Sequence, residues 1–404
     1  MPAARAACAV VSALAAAAFA LAACGSPGSG GSPTWRPKPS FSGEGNGPGG
    51  QQPGATPNPA PGSSSGSPSP SRSGTVDPNV VATELTAPTG IAILPDNTAL
   101  VGERSTGRIV RVQPQPGQPV QVVRTIRGLS TVGGGGLLDL ALSPNYDEDN
   151  LIFAYVTTRT DNRVIAFTLN GPVTPVLTGI PRGASDNTGR LAFLADGSLL
   201  LGTGDAGNPN AAQNPRSLAG KVLRVTDIGA AAPDNPTAGS RVFASGFRQS
   251  DGLCPTDTGK TAFQTEALGT AAQADPVNLL VAGARYAWPS TVTPEQRPVS
   301  TLPPGSRAPG GCAVLQHVLY TTSLDGKMLL ASAIKTSTAG KISLGAFVPA
   351  LTNKYGRLRT VVAAPDGALW LTTSNLDGHG TPQPHDELVL RILPSGDGGE
   401  RNPT

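Results

Sequence analysis

The chain has 404 residues, of which 51 are Gly and 40 are Pro, while only 14% are charged and 4% aromatic. A collagen is excluded because no three-residue glycine period runs through it, and a coiled coil because Ala, Glu, Lys, Leu and Arg show no heptad spacing. With 30 basic against 27 acidic residues, a net charge of +3 and no basic stripe, no nucleic-acid partner is expected. What remains is an exported protein with one large turn-rich domain, or two smaller ones.

Residues 1–23 read as a targeting segment. Arg5 precedes an apolar stretch from Ala9 to Ala20 that ends in Leu21-Ala22-Ala23-Cys24-Gly25. The stretch is short for a membrane span, which needs roughly 20 apolar residues, and it finishes in small side chains. The five residues resemble the lipobox of bacterial lipoproteins, where cleavage leaves the cysteine first and its thiol acylated, palmitate being typical. A plain signal peptide with an incidental Cys24 is the other reading. Lipidation implies a place on the outer face of the cytoplasmic membrane. Residues 24–77 then form a Gly, Pro and Ser-rich tether whose only large apolar residues are Trp35, Phe41 and Val76. So little apolar surface cannot offset backbone entropy, and disorder is expected, with an end-to-end distance of about 40 Å.

From 78 to 396 the sequence reads as all-β. One phrase returns: an apolar strand, a Pro, Asp or Gly turn, and a second apolar strand. It occurs at 91–103, 140–156, 191–204 and 361–373, in degenerate form at 252–266, and as a related strand pair at 313–332. Six units over about 317 residues, roughly 53 each, is a spacing that suits the blades of a six-bladed β-propeller. Residues 397–404 are expected to be a disordered tail. Once Cys8 is removed and Cys24 acylated, the remaining pair, Cys254 and Cys312, reads as a disulfide stapling successive blades.

Several phrases in this region carry a family resemblance. They are GGGGLLDLALSPNY (133–146), DNTGRLAFLADGSLLLGTGD (186–205), LAGKVLRV (218–225), ASGFRQSDGL (244–253), ARYAWP (284–289) and GRLRTVVAAPDGALWLTT (356–373). In this order, residues 85–394 resemble the glucose/sorbosone dehydrogenase family of six-bladed propellers. The resemblance implies a sugar hydroxyl oxidised by a histidine base and the quinone cofactor PQQ. Arginines and a lysine neutralise the cofactor's carboxylates, and calcium accompanies it.

The chain departs from that pattern where the chemistry lies. Asp186 stands in place of the catalytic histidine, with Ser185 before it, and none of His317, His379 and His385 falls in a matching motif. Arg248, Arg357 and Arg359 keep the cofactor-facing arginines, and Tyr286 and Trp288 keep the aromatic pair. Asp325 replaces the cofactor-facing lysine, with Lys327 two residues on, and Gly134 replaces a polar residue. Asp205, with Asn208, Asn210 and Asn214, and Asp275, followed by Pro276, are the weak calcium candidates. Turn chemistry accounts for the former more cheaply. His379, His385, Asp386 and Glu387 match no zinc spacing and read as a polar loop. The expectation is a lipid-anchored, monomeric propeller that binds a glycan or small anion at a degraded catalytic centre. The alternatives are an active PQQ-dependent sugar dehydrogenase with Asp186 as base and an envelope scaffold.

Overall fold

In the computed structural model, the phrase found in the sequence is the inner hairpin of a blade, and it occurs six times. The structure describes residues 77–269, 273–289 and 293–394. The expected signal segment, Cys24, the tether and the tail therefore lie outside the described residues.

Each blade is an antiparallel sheet whose innermost strand comes first. These inner strands are Pro88–Ile93 in blade I, Leu137–Leu142 in II, Gly189–Phe193 in III, Gly252–Pro255 in IV, Pro309–Leu315 in V and Leu358–Ala363 in VI. They pack in sequence around an axis, and blade VI returns to blade I. Blade VI is closed by pairing the first strand, Val80–Ala82, with the last, Val389–Ile392. The chain thus forms a six-bladed propeller.

Turn chemistry explains why the hairpins recur. Asp96, Asp196 and Asp366 each accept the N–H two residues ahead, from Thr98, Ser198 and Ala368, which fixes the reversal. The same carboxylates pair with Arg111, Arg224 and Arg391 on the third strand of their own blades. One aspartate per turn therefore sets both the bend and the third strand's position.

Strand alternation explains why the blades need one another. Leu199 and Leu201 pack against blade II, whereas Leu200 between them packs against blade IV. All three are fully buried, so both faces of the sheet are covered. The six apolar clusters each lie between two adjacent blades, so the core is a ring of six interfaces.

Polar ties complete this ring. Thr89 Oγ1 donates to Leu137 O (2.8 Å), Leu191 N to Asp139 Oδ2 (2.9 Å) and Arg190 Nε to Asp251 O (2.6 Å). Thr265 Oγ1 donates to Gly310 O (3.2 Å), Thr322 Oγ1 to Arg359 O (2.8 Å) and Thr360 Oγ1 to Thr89 O (2.5 Å). Every blade-to-blade step has one such bond. Close approach near the axis also demands small residues: a Cβ on Gly310 would sit 1.9 Å from Arg359 O. The expected disulfide is present, with Cys254 in the inner strand of blade IV and Cys312 in that of blade V.

Candidate functional site

At one end of the axis the inner strands open into a cavity of about 440 Å³. Four guanidinium groups line it, Arg104, Arg190, Arg357 and Arg359, against two carboxylates, Asp251 and Asp377. They come from four blades: Asp251, Arg357, Arg190 and Arg359 lie just ahead of or within inner strands, and Arg104 and Asp377 follow the second strands of blades I and VI.

The arginines are not equivalent. Arg357 is buried, and its Nη1 lies 2.7 Å from Asp325 while its Nε lies 3.1 Å from Asp377. Asp325, at the lysine position of the sequence pattern, thus neutralises an arginine instead of joining it. Arg359 has only a 3.5 Å approach to Asp377, and Arg104 only a 3.4 Å contact with Gly135 O. Partial burial, reinforced by Arg104 and Arg190, pulls the Arg359 guanidinium to about 10, though Asp377 and Asp251 oppose the shift. Burial raises the Asp377 carboxyl, but the His379 N–H and the charges of Arg357 and Arg359 outweigh it and hold the group below its usual range. Burial also lifts Asp251 to about 6 against the Ala267 N–H and Arg190. Four cations therefore face two carboxylates at the mouth; Arg190 also approaches the buried Asp139 at 3.7 Å, which leaves Arg104 and Arg359 the least compensated. Such a floor suits one anionic group.

Asp186 sits beside this cavity on the loop before blade III, with φ of 52°. Its Oδ1 receives Arg248 Nη2 at 3.2 Å and the Gln249 amide, and its Oδ2 receives the Ser185 hydroxyl at 2.9 Å. The carboxylate expected as a substitute base is thus tied to the arginine expected to meet a cofactor, and both are charge-paired internally. Arg248 is held from behind by Glu266, whose Oε2 accepts its N–H at 2.9 Å. Burial keeps Glu266 protonated up to about 8, against the Arg248 N–H, with Asp251 adding to the rise.

The structure separates the two members of the aromatic pair. Tyr286 does not reach the mouth: it is buried, packs on Phe247 at 4.7 Å and donates its hydroxyl to Leu279 O. A tyrosine between two blades takes this position because its ring fills the core while its hydroxyl needs one carbonyl. Trp288 does stand near Arg248, 5.7 Å from its guanidinium, and donates its indole N–H to Asp205 at 2.8 Å. The calcium candidates are occupied by protein donors. Asp205 accepts from Trp288 and Gly207, and Asp275 accepts from Leu268 and Ala308 across the blade IV–V step. Among the described residues no group of three or more His, Cys, Asp or Glu is placed to hold a metal.

The polar loop after blade VI's second strand also differs in part from its reading. Buried Glu387 braces it, accepting from Thr373, Asn375 and Leu376. His379, by contrast, lines the mouth. Arg104, Arg190 and Asp377 escaped sequence reasoning, which placed His379 only in a polar loop, and only the inner-strand register of Arg190 hinted at its place.

Comparison with known proteins gives the same architecture. Residues 85–382 match the family described as glucose / sorbosone dehydrogenase. The chain belongs to that family. The PQQ-bound aldose sugar dehydrogenase of Streptomyces coelicolor is 34% identical, with a TM-score of 0.71 over 77% of this chain and 95% of that one. Quinoprotein glucose dehydrogenase B of Acinetobacter calcoaceticus is 28% identical over 54% of this chain and 53% of its own length. The aldose sugar dehydrogenase YliI of Escherichia coli (strain K12) is 24% identical over 75% and 91%. This chain spans about half the length of the first two curated relatives it matches.

A PQQ-like tricarboxylate disagrees with the donors present here. Its carboxylates would meet Arg248 and Arg357 already paired with Asp186 and Asp325. Placing a second anion at either pair sets like charges side by side.

Proposed function

We propose that this chain is a lipid-anchored, extracytoplasmic binding propeller of the glucose/sorbosone dehydrogenase family whose redox centre has been lost. Its mouth takes a carbohydrate carrying a single anionic group, such as a uronate or aldonate. The anion is received by Arg104, Arg190 and Arg359, and the sugar hydroxyls meet Gln249, Ser250 and Thr188 along the same wall. The observation that carries this reading is the ion pair between Asp186 and Arg248, which occupies both the base position and a cofactor arginine. A carboxylate engaged by three donors is a poor acceptor for a substrate proton.

The second reading is a working sugar dehydrogenase. It is favoured by His379, an imidazole exposed at the mouth where the family's histidine is missing. One titration separates the two. The purified protein is titrated with PQQ and Ca²⁺ by absorbance, then with glucuronate and glucose by calorimetry. Binding of glucuronate without PQQ uptake supports the binding propeller. PQQ uptake followed by sugar-dependent reduction overturns it in favour of the enzyme, with His379→Ala as the next variant.

A further inference from the structure

A second cavity of about 350 Å³ lies on blade IV, walled on one side by Ala287 and Trp288 of the segment that runs beside blade III. Small-molecule sites run from about 300 to 1,000 Å³, so it has room for one six-membered ring. Its chemistry follows from two amides whose orientations are fixed. Gln264 Nε2 donates to Gln249 O at 2.9 Å, which leaves Gln264 Oε1 facing Asn278. Asn278 Nδ2 donates to that oxygen at 2.7 Å. The remaining atom, Asn278 Oδ1, is therefore an acceptor, and it is buried with no hydrogen-bond partner. A buried acceptor left unmatched is costly, so the position calls for a donor from a ligand.

We infer that this cavity is a binding site for a neutral hydroxylated ring, a hexose unit, that donates a hydroxyl to Asn278 Oδ1 against the wall made by Trp288. Glu266 is the ionisable group lining it, and burial keeps that carboxyl protonated at neutral pH, so the site offers an anion no cation and a cation no anion. Leu268 and Pro276 supply apolar wall, and Thr301 stands exposed at the rim. An aromatic side, apolar flanks and a few fixed polar atoms are what a sugar's alternating faces require. The site lies behind the mouth and shares no lining residue with it, although Ala267, between Glu266 and Leu268, lines the mouth. It does not depend on the reading given for the mouth.

The test uses saturation-transfer NMR on the full chain with glucose, and with a glucose oligosaccharide as a separate arm. Thr301→Phe blocks the rim from an exposed strand position, and Asn278→Leu removes the acceptor. Saturation of glucose in the wild type that falls about tenfold in affinity with Thr301→Phe, while glucuronate binding is unchanged, supports the site. Stronger binding of the oligosaccharide identifies a glycan as the source, and equal binding a free hexose. Absence of glucose saturation in the wild type, or saturation that Thr301→Phe leaves intact, overturns the inference. Loss of glucuronate binding alone tests the mouth instead.

Discussion

Replacing Asp186 by Asn separates a locking carboxylate from a catalytic one. Asn tolerates the left-handed backbone that Asp186 adopts, so the loop is kept while the charge is removed. The ion pair with Arg248 spans 3.2 Å, with side chains 23% and 12% exposed. Exposed pairs contribute up to about 1 kcal/mol and breaking fully buried ones costs about 3–5, so a loss of about 2 kcal/mol is expected. The freed guanidinium also changes the mouth. At an effective dielectric of about 20, a cation about 8 Å from a bound anion contributes about 2 kcal/mol, and screening at physiological salt removes about half. Glucuronate should therefore bind about fivefold more tightly to Asp186→Asn, while the protein unfolds at a lower temperature. Calorimetry at two salt concentrations and a thermal melt measure both. The reasoning fails if Asp186→Asn binds glucuronate no better, or if it abolishes a sugar-dependent quinone reduction present in the wild type.

Other outcomes follow from the same structure. Replacing Cys254 and Cys312 together by Ala opens a loop of 58 residues and should lower stability by about 4 kcal/mol in chemical denaturation. Because burial raises Glu266 from 4.5 to about 8, its protonated form favours the fold. That contribution is full below pH 4.5 and is lost as pH rises through about 8. Wild-type melting temperature should thus decline between about pH 5 and 8 and level off above that, and Glu266→Gln should flatten the profile. A Cβ at Gly189 would meet the Tyr155 ring at 2.2 Å, so Gly189→Ala should cost about 1–3 kcal/mol by denaturant titration.

The sequence exposes the parts of this molecule that are local. An aspartate that bends the chain and a pair of apolar strands around it lie within a dozen or so residues, so four of the six hairpins carry their own signature in Asp96, Asp149, Asp196 or Asp366. Outer strands lack it: Gln121–Thr125 is largely exposed, and Ser300–Thr301 is only two residues long. Arg357 and Arg359 could be placed at one mouth because they alternate on one strand, and they do share Asp377. The pairing of Asp186 with Arg248 bridges 62 positions, and Arg104, Arg190 and His379 meet only because the blades close into a ring. Tyr286 illustrates a different limit. A tyrosine in an aromatic pair reads alike whether its hydroxyl faces a ligand or a backbone carbonyl.

The closing strand has a mechanical consequence. Val80–Ala82 is the outermost strand of blade VI, and just before it Asp77 accepts from the Tyr355 hydroxyl at 2.9 Å and from Lys354 at 3.3 Å. Asn79 adds its amide to the same Tyr355 oxygen at 3.2 Å. Any pull on the chain ahead of Asp77 is therefore delivered to this clasp before it reaches the ring. The first strand of the propeller to leave the ribosome is also the last to find its partner, since Val389–Ile392 must be made before the circle can shut. Closure and tension thus converge on one three-residue strand and the tyrosine that holds its lead-in.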